Sequence, residues 1–419
     1  MQGNALNTPD KVGARHWPKL ARVLPYSAVL GDPLGLGNPM RRPSLISIAL
    51  AFLSSTLSAQ VTVGLLPGPV PGSVGFSQLD LIDSSRGLAS KPARPITVSL
   101  WYPAVGSSGR GMRLETYVEL HRRADSFGVL PFRGWVTRSG TDTSRVAAIL
   151  ASEVIARLVA TPAAGRFPLI LYAASFRAPA YESFALFEFL AGHGFVVAAI
   201  PSVGRDTTGM SMDTLGVRAQ IGDFELAYRR ALELPNVDPT RVGTIGFSLG
   251  AVPAASLALG NRAIQAVASI DGALNYTYAL LGRSADSTSP LHAAYLQLTQ
   301  RSVASMPLDN TFFMTHPRGS AYHLQWRGLD HYDFGSVTAL LRAARPKDYR
   351  LPQRDVQLGG VNVNTTPADE RIRMYQELVR TIYLFFDGHL KDSAESKRAL
   401  EARFDEPDRA ALFSIRVRK

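Results

Sequence analysis

The sequence predicts an α/β protein: a mostly parallel central sheet with helices on both faces. Three observations carry that reading. Short continuous apolar runs recur at residues 169–172, 195–200, 242–247 and 266–270, and a run without polar alternation is what a strand buried on both faces requires. Amphipathic stretches of helical length separate these runs, at about 181–191, 217–234 and 249–259, so strand and helix alternate as they do when a parallel sheet is covered on both sides. Finally, 46% of the 419 residues are hydrophobic and only 19% are charged, a balance that supports a packed core and excludes a disordered chain.

Composition also narrows function. With no cysteine, a disulfide framework, a thiolate nucleophile and a Cys-ligated zinc are all excluded. The net charge of +11, from 45 Lys plus Arg against 34 Asp plus Glu, is spread without a basic run, so no nucleic-acid partner is expected. No repeat with a period of about 20–50 residues marks a solenoid or propeller.

Taken in order, residues 1–39 hold Pro9, Pro18, Pro25, Pro33 and Pro39 and no sustained apolar period, so this stretch is expected to be disordered. At Met40 the pattern changes. Arg41 and Arg42 precede an apolar run over 45–57, and Leu57-Ser58-Ala59 ends in the small residue that a signal peptidase needs. Residues 40–59 therefore read as a signal peptide; the run is too short for a transmembrane helix, which takes about 20 residues. On this reading Met40 is the biological start, 1–39 lies upstream of it, and the exported chain, periplasmic or secreted, is a single domain over 60–419. N-terminal sequencing of the exported product should begin near Gln60; an exported product that retained 1–39 would overturn the assignment.

Next, Ile96-Thr97-Val98-Ser99-Leu100-Trp101 alternates like a half-buried edge strand. The alternation of strand and helix is then interrupted at about 105–165, where a Gly/Ser-rich stretch leads into two helical segments, one carrying Leu114, Tyr117 and Val118, the other Val146, Ile149 and Leu150. A second interruption, 274–317, contains a helical stretch at 292–299. Both read as insertions near the mouth of the site, candidates for a lid or substrate pocket. Toward the C-terminus Met374, Leu378, Ile382 and Phe385 recur at helical spacing ahead of Gly388, which predicts a long covering helix with a glycine C-cap.

The segment with the clearest chemistry is Gly246-Phe247-Ser248-Leu249-Gly250, between an apolar strand and a helix. Strand, sharp turn and helix are what a nucleophile elbow requires: the serine stands exposed at the tip, and flanking glycines avoid a clash where strand and helix approach. A serine hydroxyl needs a base, and that base needs a carboxylate to orient it, here in the chain order Ser, acid, His. Asp271 ends the next apolar run, 23 residues after Ser248; a turn-forming Asp-Gly is its plainer explanation. His331 follows the strand-like segment 322–326 and is the candidate base. His292, His316 and His323 are its rivals, and Asp330 and Asp333 rival Asp271. His121 lies in the first insertion, His193 reads as a helix C-cap, and His389 follows Gly388.

These residues resemble the serine-dependent α/β-hydrolases of the dienelactone hydrolase and platelet-activating-factor acetylhydrolase group, the bacterial exported type. The resemblance runs from about Asp83 to Phe334. It includes Asp83-Ser84-Ser85-Arg86, Arg94-Pro95-Ile96, Leu100-Trp101-Tyr102-Pro103, Ala191-Gly192-His193-Gly194-Phe195, Asp238-Pro239 leading into the elbow, and His331 with Asp333-Phe334. It implies the α/β-hydrolase fold, a catalytic Ser248, Asp271 and His331, and oxyanion-binding backbone amides on Leu249 and Phe176. It further implies no metal or organic cofactor and a small-molecule or lipid ester as substrate, short-chain or phospholipid-type. Polyester or phenolic-ester hydrolysis, acyl transfer or peptide cleavage on the same residues, and a non-catalytic binding protein on this scaffold are the alternatives. One stretch departs from the group, which carries His-Gly and further glycine after the strand equivalent to 169–172, whereas this chain has Ala173-Ala174-Ser175-Phe176-Arg177. Arg177 there either meets an anionic group of the substrate or faces solvent.

Overall fold

Strand β1 (Ser73–Asp83) and strand β2 (Arg94–Ala104) open the sheet as an antiparallel pair. Then come β3 (Arg110–Arg113), β4 (Glu153–Leu158), β5 (Phe167–Ala173), β6 (Val196–Ile200), β7 (Val237–Phe247), β8 (Ile264–Ile270), β9 (Ala294–Gln300), β10 (Ala321–Trp326) and β11 (Phe413–Arg418). The computed structural model describes residues 64–87, 93–125, 129–205, 209–275, 288–300, 307–345, 366–403 and 413–418, all within one unit running from Leu50 to Lys419. The upstream stretch 1–39 and the signal peptide expected at 40–59 lie outside the described residues.

These strands form one sheet in the order β11-β10-β9-β8-β7-β5-β6-β2-β1-β4-β3. The six from β10 to β6 run parallel, while β2, β3 and β11 join antiparallel. The apolar runs are explained by two cores, one on each face. Along β5, Ile170 and Tyr172 belong to one core and Leu169, Leu171 and Ala173 to the other, so every position after Phe167 is buried. Helices Phe184–Gly192, Ser336–Ala343 and Ala368–Leu390 pack on the first face; Thr214–Ala231 and Ala251–Ala258 cover the second.

Several local expectations are corrected. Segment 96–101 is an inner strand, since β2 pairs with both β1 and β6; its alternating Thr97 and Ser99 mimic an edge because Ser99 is buried against His121 instead of facing water, Oγ to Nε2 2.8 Å. Segment 292–299 is not helical. It forms β9, fully buried and paired in parallel with β8 and β10. Its polar Gln297 and Thr299 break the apolar run, yet both find partners inside: Gln297 Nε2 donates to Asn310 Oδ1 at 3.0 Å, and the Thr299 hydroxyl lies 3.0 Å from His323 Nε2. The segment after 105 contributes strands β3 and β4 to the sheet as well as three helices, Leu114–Asp125, Val129–Ser139 and Thr143–Leu150. Gly388 does not end its helix, which continues to Leu390. A Cβ there would meet the Lys397 side chain at 2.9 Å, so the glycine admits the following helix, Ala394–Ala402, to close approach.

The strand order also locates the site. From β5 the chain moves to β6 on one side and then to β7 on the other, and the crevice beyond the carboxyl ends of strands at such a reversal is where open α/β sheets bind ligands.

Candidate active site

Ser248 stands at the carboxyl end of β7, in a short 3-10 turn, Ser248–Gly250, that leads into helix Ala251–Ala258. Its φ of +53° is left-handed, a conformation that a residue with a Cβ adopts at a cost of order 1 kcal/mol. The flanking glycines make the turn sterically possible: a Cβ on Gly246 would lie 2.2 Å from the Gly250 carbonyl oxygen, and one on Gly250 would lie 2.0 Å from that of Ala173. Leu249, next in the turn, buries its side chain in the second core. As a first-turn residue its amide has no intrahelical acceptor.

Asp271 directly follows β8, fully buried and at φ +39°. Its Oδ1 accepts the Gln300 backbone N–H at 2.9 Å, and its Oδ2 lies 2.6 Å from His331 Nδ1. His331 follows β10 in the turn His331–Phe334. Its backbone N–H donates to Gln300 Oε1 at 3.1 Å, and its ring packs 5.2 Å from that of Phe247. Burial disfavours the charged imidazole, but the hydrogen bond and charge of Asp271, with Asp330 and Glu182 beyond, outweigh it and raise the pKa above the ordinary imidazole value.

The rivals are engaged elsewhere. Asp330 caps the His331 turn by accepting the Tyr332 N–H at 2.9 Å, and Asp333 returns the bond to the Asp330 N–H at 3.0 Å. Arg342 pairs with both carboxylates. His323 is hydrogen-bonded to Thr299, and His316 stacks on Phe312 at 4.6 Å; His292 lies outside the cavity lining. His121 is buried against Ser99 and the Tyr117 carbonyl, and burial drops its pKa to about 4. His193 does cap its helix, Nδ1 lying 2.7 Å from the Phe189 carbonyl oxygen. His389 sits in a helix beside Phe385 and Tyr322.

Ser248, Asp271, His331 and Phe176 line one cavity of about 430 Å³. Aromatic rings of Trp135, Phe247 and Tyr332 share its wall with Arg138, Arg177 and Met212. Trp135 and Arg138 come from helix Val129–Ser139, so the segment after 105 does reach the mouth. Among the described residues no hydrogen bond joins Ser248 to His331, a contact that often tightens only with substrate in place. A second cavity, of about 520 Å³, lies between Phe189, His193, Tyr383 and Arg403 and brings no nucleophile to its wall.

Two residues of the site have no counterpart among the sequence candidates. Gln300, at the end of β9, holds Asp271 with its backbone and His331 with its side chain; it is hidden when that segment is taken as helical. Glu182 is buried in the cavity wall, and its only sequence signal is an acid inside an apolar stretch. Among the described residues no cluster of three or more His, Cys, Asp or Glu is placed to hold a metal ion, and no helix is long and apolar enough to cross a membrane.

No protein-family model matches the chain, and no curated protein matches it. Among solved structures it is similar to a ferulic acid esterase from Streptomyces cinnamoneus, with a TM-score of 0.58 and 21% sequence identity over 84% of this chain and 98% of that one. With its mostly parallel sheet, helices on both faces and a serine turn after β7, the chain has the α/β-hydrolase fold.

Proposed function

We propose that the protein is a serine hydrolase that cleaves carboxylic esters through an acyl-enzyme. The observation that carries this reading is the meeting, on one cavity, of a left-handed Ser248 with the buried Asp271–His331 pair. Ser248 Oγ attacks the ester carbonyl carbon while His331 Nε2 takes its proton. Asp271 keeps the remaining proton on Nδ1 and stabilises the imidazolium. The amides of Phe176 and Leu249 receive the oxyanion. His331 then returns the proton to the leaving alkoxide as the C–O bond breaks, and water, activated by the same imidazole, releases the acid. The protein would act after export, once 40–59 has been removed.

Short-chain or phospholipid-type acyl esters are the substrates suggested by the resemblance to acetylhydrolases. A phenolic ester is the second reading, favoured by the aromatic wall of Trp135, Phe176, Phe247 and Tyr332 and by the ferulic acid esterase of similar fold. Assaying p-nitrophenyl esters of graded chain length beside methyl ferulate tests both. Turnover of the acetate or butyrate is expected, and a higher kcat/KM for methyl ferulate would select the phenolic substrate. A folded protein that cleaves none of them overturns the proposal, and preferential acyl transfer to added amines or alcohols would redirect it to a transferase.

The raised pKa of His331 sets the pH dependence. Only the neutral ring accepts the Ser248 proton, so kcat/KM should fall as pH is lowered through a midpoint above the ordinary imidazole value of 6.5. Stability runs the other way. Because the folded pKa exceeds the unfolded one, the stabilisation from the charged His331–Asp271 pair is complete below the unfolded value and is lost as pH rises through the folded one. A kcat/KM profile flat from pH 5 to 8 would remove His331 from the base role.

A further inference from the structure

The loop after β5 lacks the glycines that its position calls for, yet it adopts a turn that usually needs one. Arg177 sits at φ +57°, a region that side chains with a Cβ disfavour. Three contacts are modest supports: the Ala178 N–H donates to the Ser175 carbonyl at 3.1 Å, Arg177 Nε donates to the Met210 carbonyl at 2.9 Å, and the guanidinium lies 5.1 Å from the centre of the Phe176 ring. The stronger tie is Glu182. Its Oε1 accepts the Ser175 amide N–H at 2.7 Å and the Tyr172 hydroxyl at 2.8 Å, and its Oε2 accepts the Ser175 hydroxyl at 2.6 Å.

The same residue reaches the histidine side of the cavity. The Glu182 carbonyl oxygen accepts the Val337 N–H at 3.1 Å, at the start of helix Ser336–Ala343, which follows the His331 turn. Glu182 is only 2% exposed. Burial pushes its carboxyl up to about 7, against the lowering effect of Ser175 and Tyr172. A buried carboxylate is a poor choice for stability alone, since an apolar group of similar volume is often as good or better. A functional reason accounts for it.

We propose that Glu182 is a positioning residue for the oxyanion loop: by gripping Ser175 through both amide and hydroxyl, it holds the 175–178 turn so that the Phe176 amide points to the oxyanion. That amide donates to no protein atom among the described residues, as an oxyanion donor requires. The carboxylate thus does from outside the loop what backbone glycines do within it elsewhere. This inference rests on the ester-hydrolase reading above.

Glu182→Gln and Ser175→Ala, alone and combined, test it, with thermal unfolding as the check on folding. Glutamine keeps the shape but removes the charge that strengthens the grip and reverses the bond to the Ser175 hydroxyl, which must then accept from an NH2. Glu182→Gln is expected to lower kcat about 10–100-fold with KM within about twofold, because a displaced oxyanion donor weakens the transition state more than the bound ester. Affinity for a trifluoromethyl ketone, whose adduct places an oxyanion in the same spot, should fall with kcat/KM, which a merely structural role would not require. Ser175→Ala should lose about 3–10-fold, and the double variant no more than Glu182→Gln alone, since both act through one contact. Wild-type kcat and ketone affinity in folded Glu182→Gln overturn the proposal, as do losses that multiply. If Glu182→Gln does not fold, wild-type kcat in Ser175→Ala overturns it. An inert wild-type protein sinks the ester reading and this one together, whereas an active wild type with an equally active Glu182→Gln sinks this one alone.

Discussion

Ser248→Ala is expected to lower ester turnover by about five to six orders of magnitude and to abolish labelling by a fluorophosphonate probe, with the folded state preserved. The size of the effect follows from losing the nucleophile itself, since what remains is binding and oxyanion stabilisation. Preservation of the fold follows from the geometry. The side chain that changes lines a cavity, and the flanking Gly246 and Gly250 that make room for the left-handed turn at φ +53° stay in place. Alanine bears the same Cβ as serine, so backbone strain is unchanged. Retained labelling in a folded Ser248→Ala protein would place the nucleophile elsewhere.

Asp271→Asn is expected to cost about four orders of magnitude in kcat, again with little loss of folding. The carboxylate is fully buried, with Oδ1 on the Gln300 N–H and Oδ2 at 2.6 Å from His331 Nδ1. If the asparagine carbonyl keeps the Gln300 bond, its NH2 faces Nδ1. The imidazole then puts its proton on Nε2, the nitrogen that has to accept from Ser248. Asp330→Asn and Asp333→Asn should behave differently: they break pairs with a buried Arg342, so stability falls while the folded enzyme keeps its turnover at the pH plateau. Only Asp330→Asn, which removes a charge that raises the His331 pKa, should move the acid limb to lower pH. Near-normal turnover in Asp271→Asn would hand the acid role to one of these two.

How much was legible follows the range of the interactions involved. The parallel strands could be read because burial on both faces leaves a local mark, an unbroken apolar run, and the Ser248 turn because a strand, two glycines and a helix lie within a dozen residues. β9 could not. Its buried Gln297 and Thr299 have partners 13 and 24 residues away, so their polarity pointed away from a core strand although each is hydrogen-bonded within one. Gly388 misled for a related reason: a glycine admitting a neighbouring helix and a glycine ending its own look alike until the neighbour is in place.

From the sequence alone came the fold class, the order of Ser248, Asp271 and His331 along the chain, and the resemblance that singled them out. Tertiary structure decided which carboxylate meets which imidazole. Asp271 and His331 are 60 residues apart and join only because β8, β9 and β10 lie side by side. It also revealed Gln300, which binds both, and Glu182, which holds a loop that has no glycine. A hydrogen bond between distant residues leaves no periodicity or spacing in the chain; it exists only once the sheet has set the ends of its strands together.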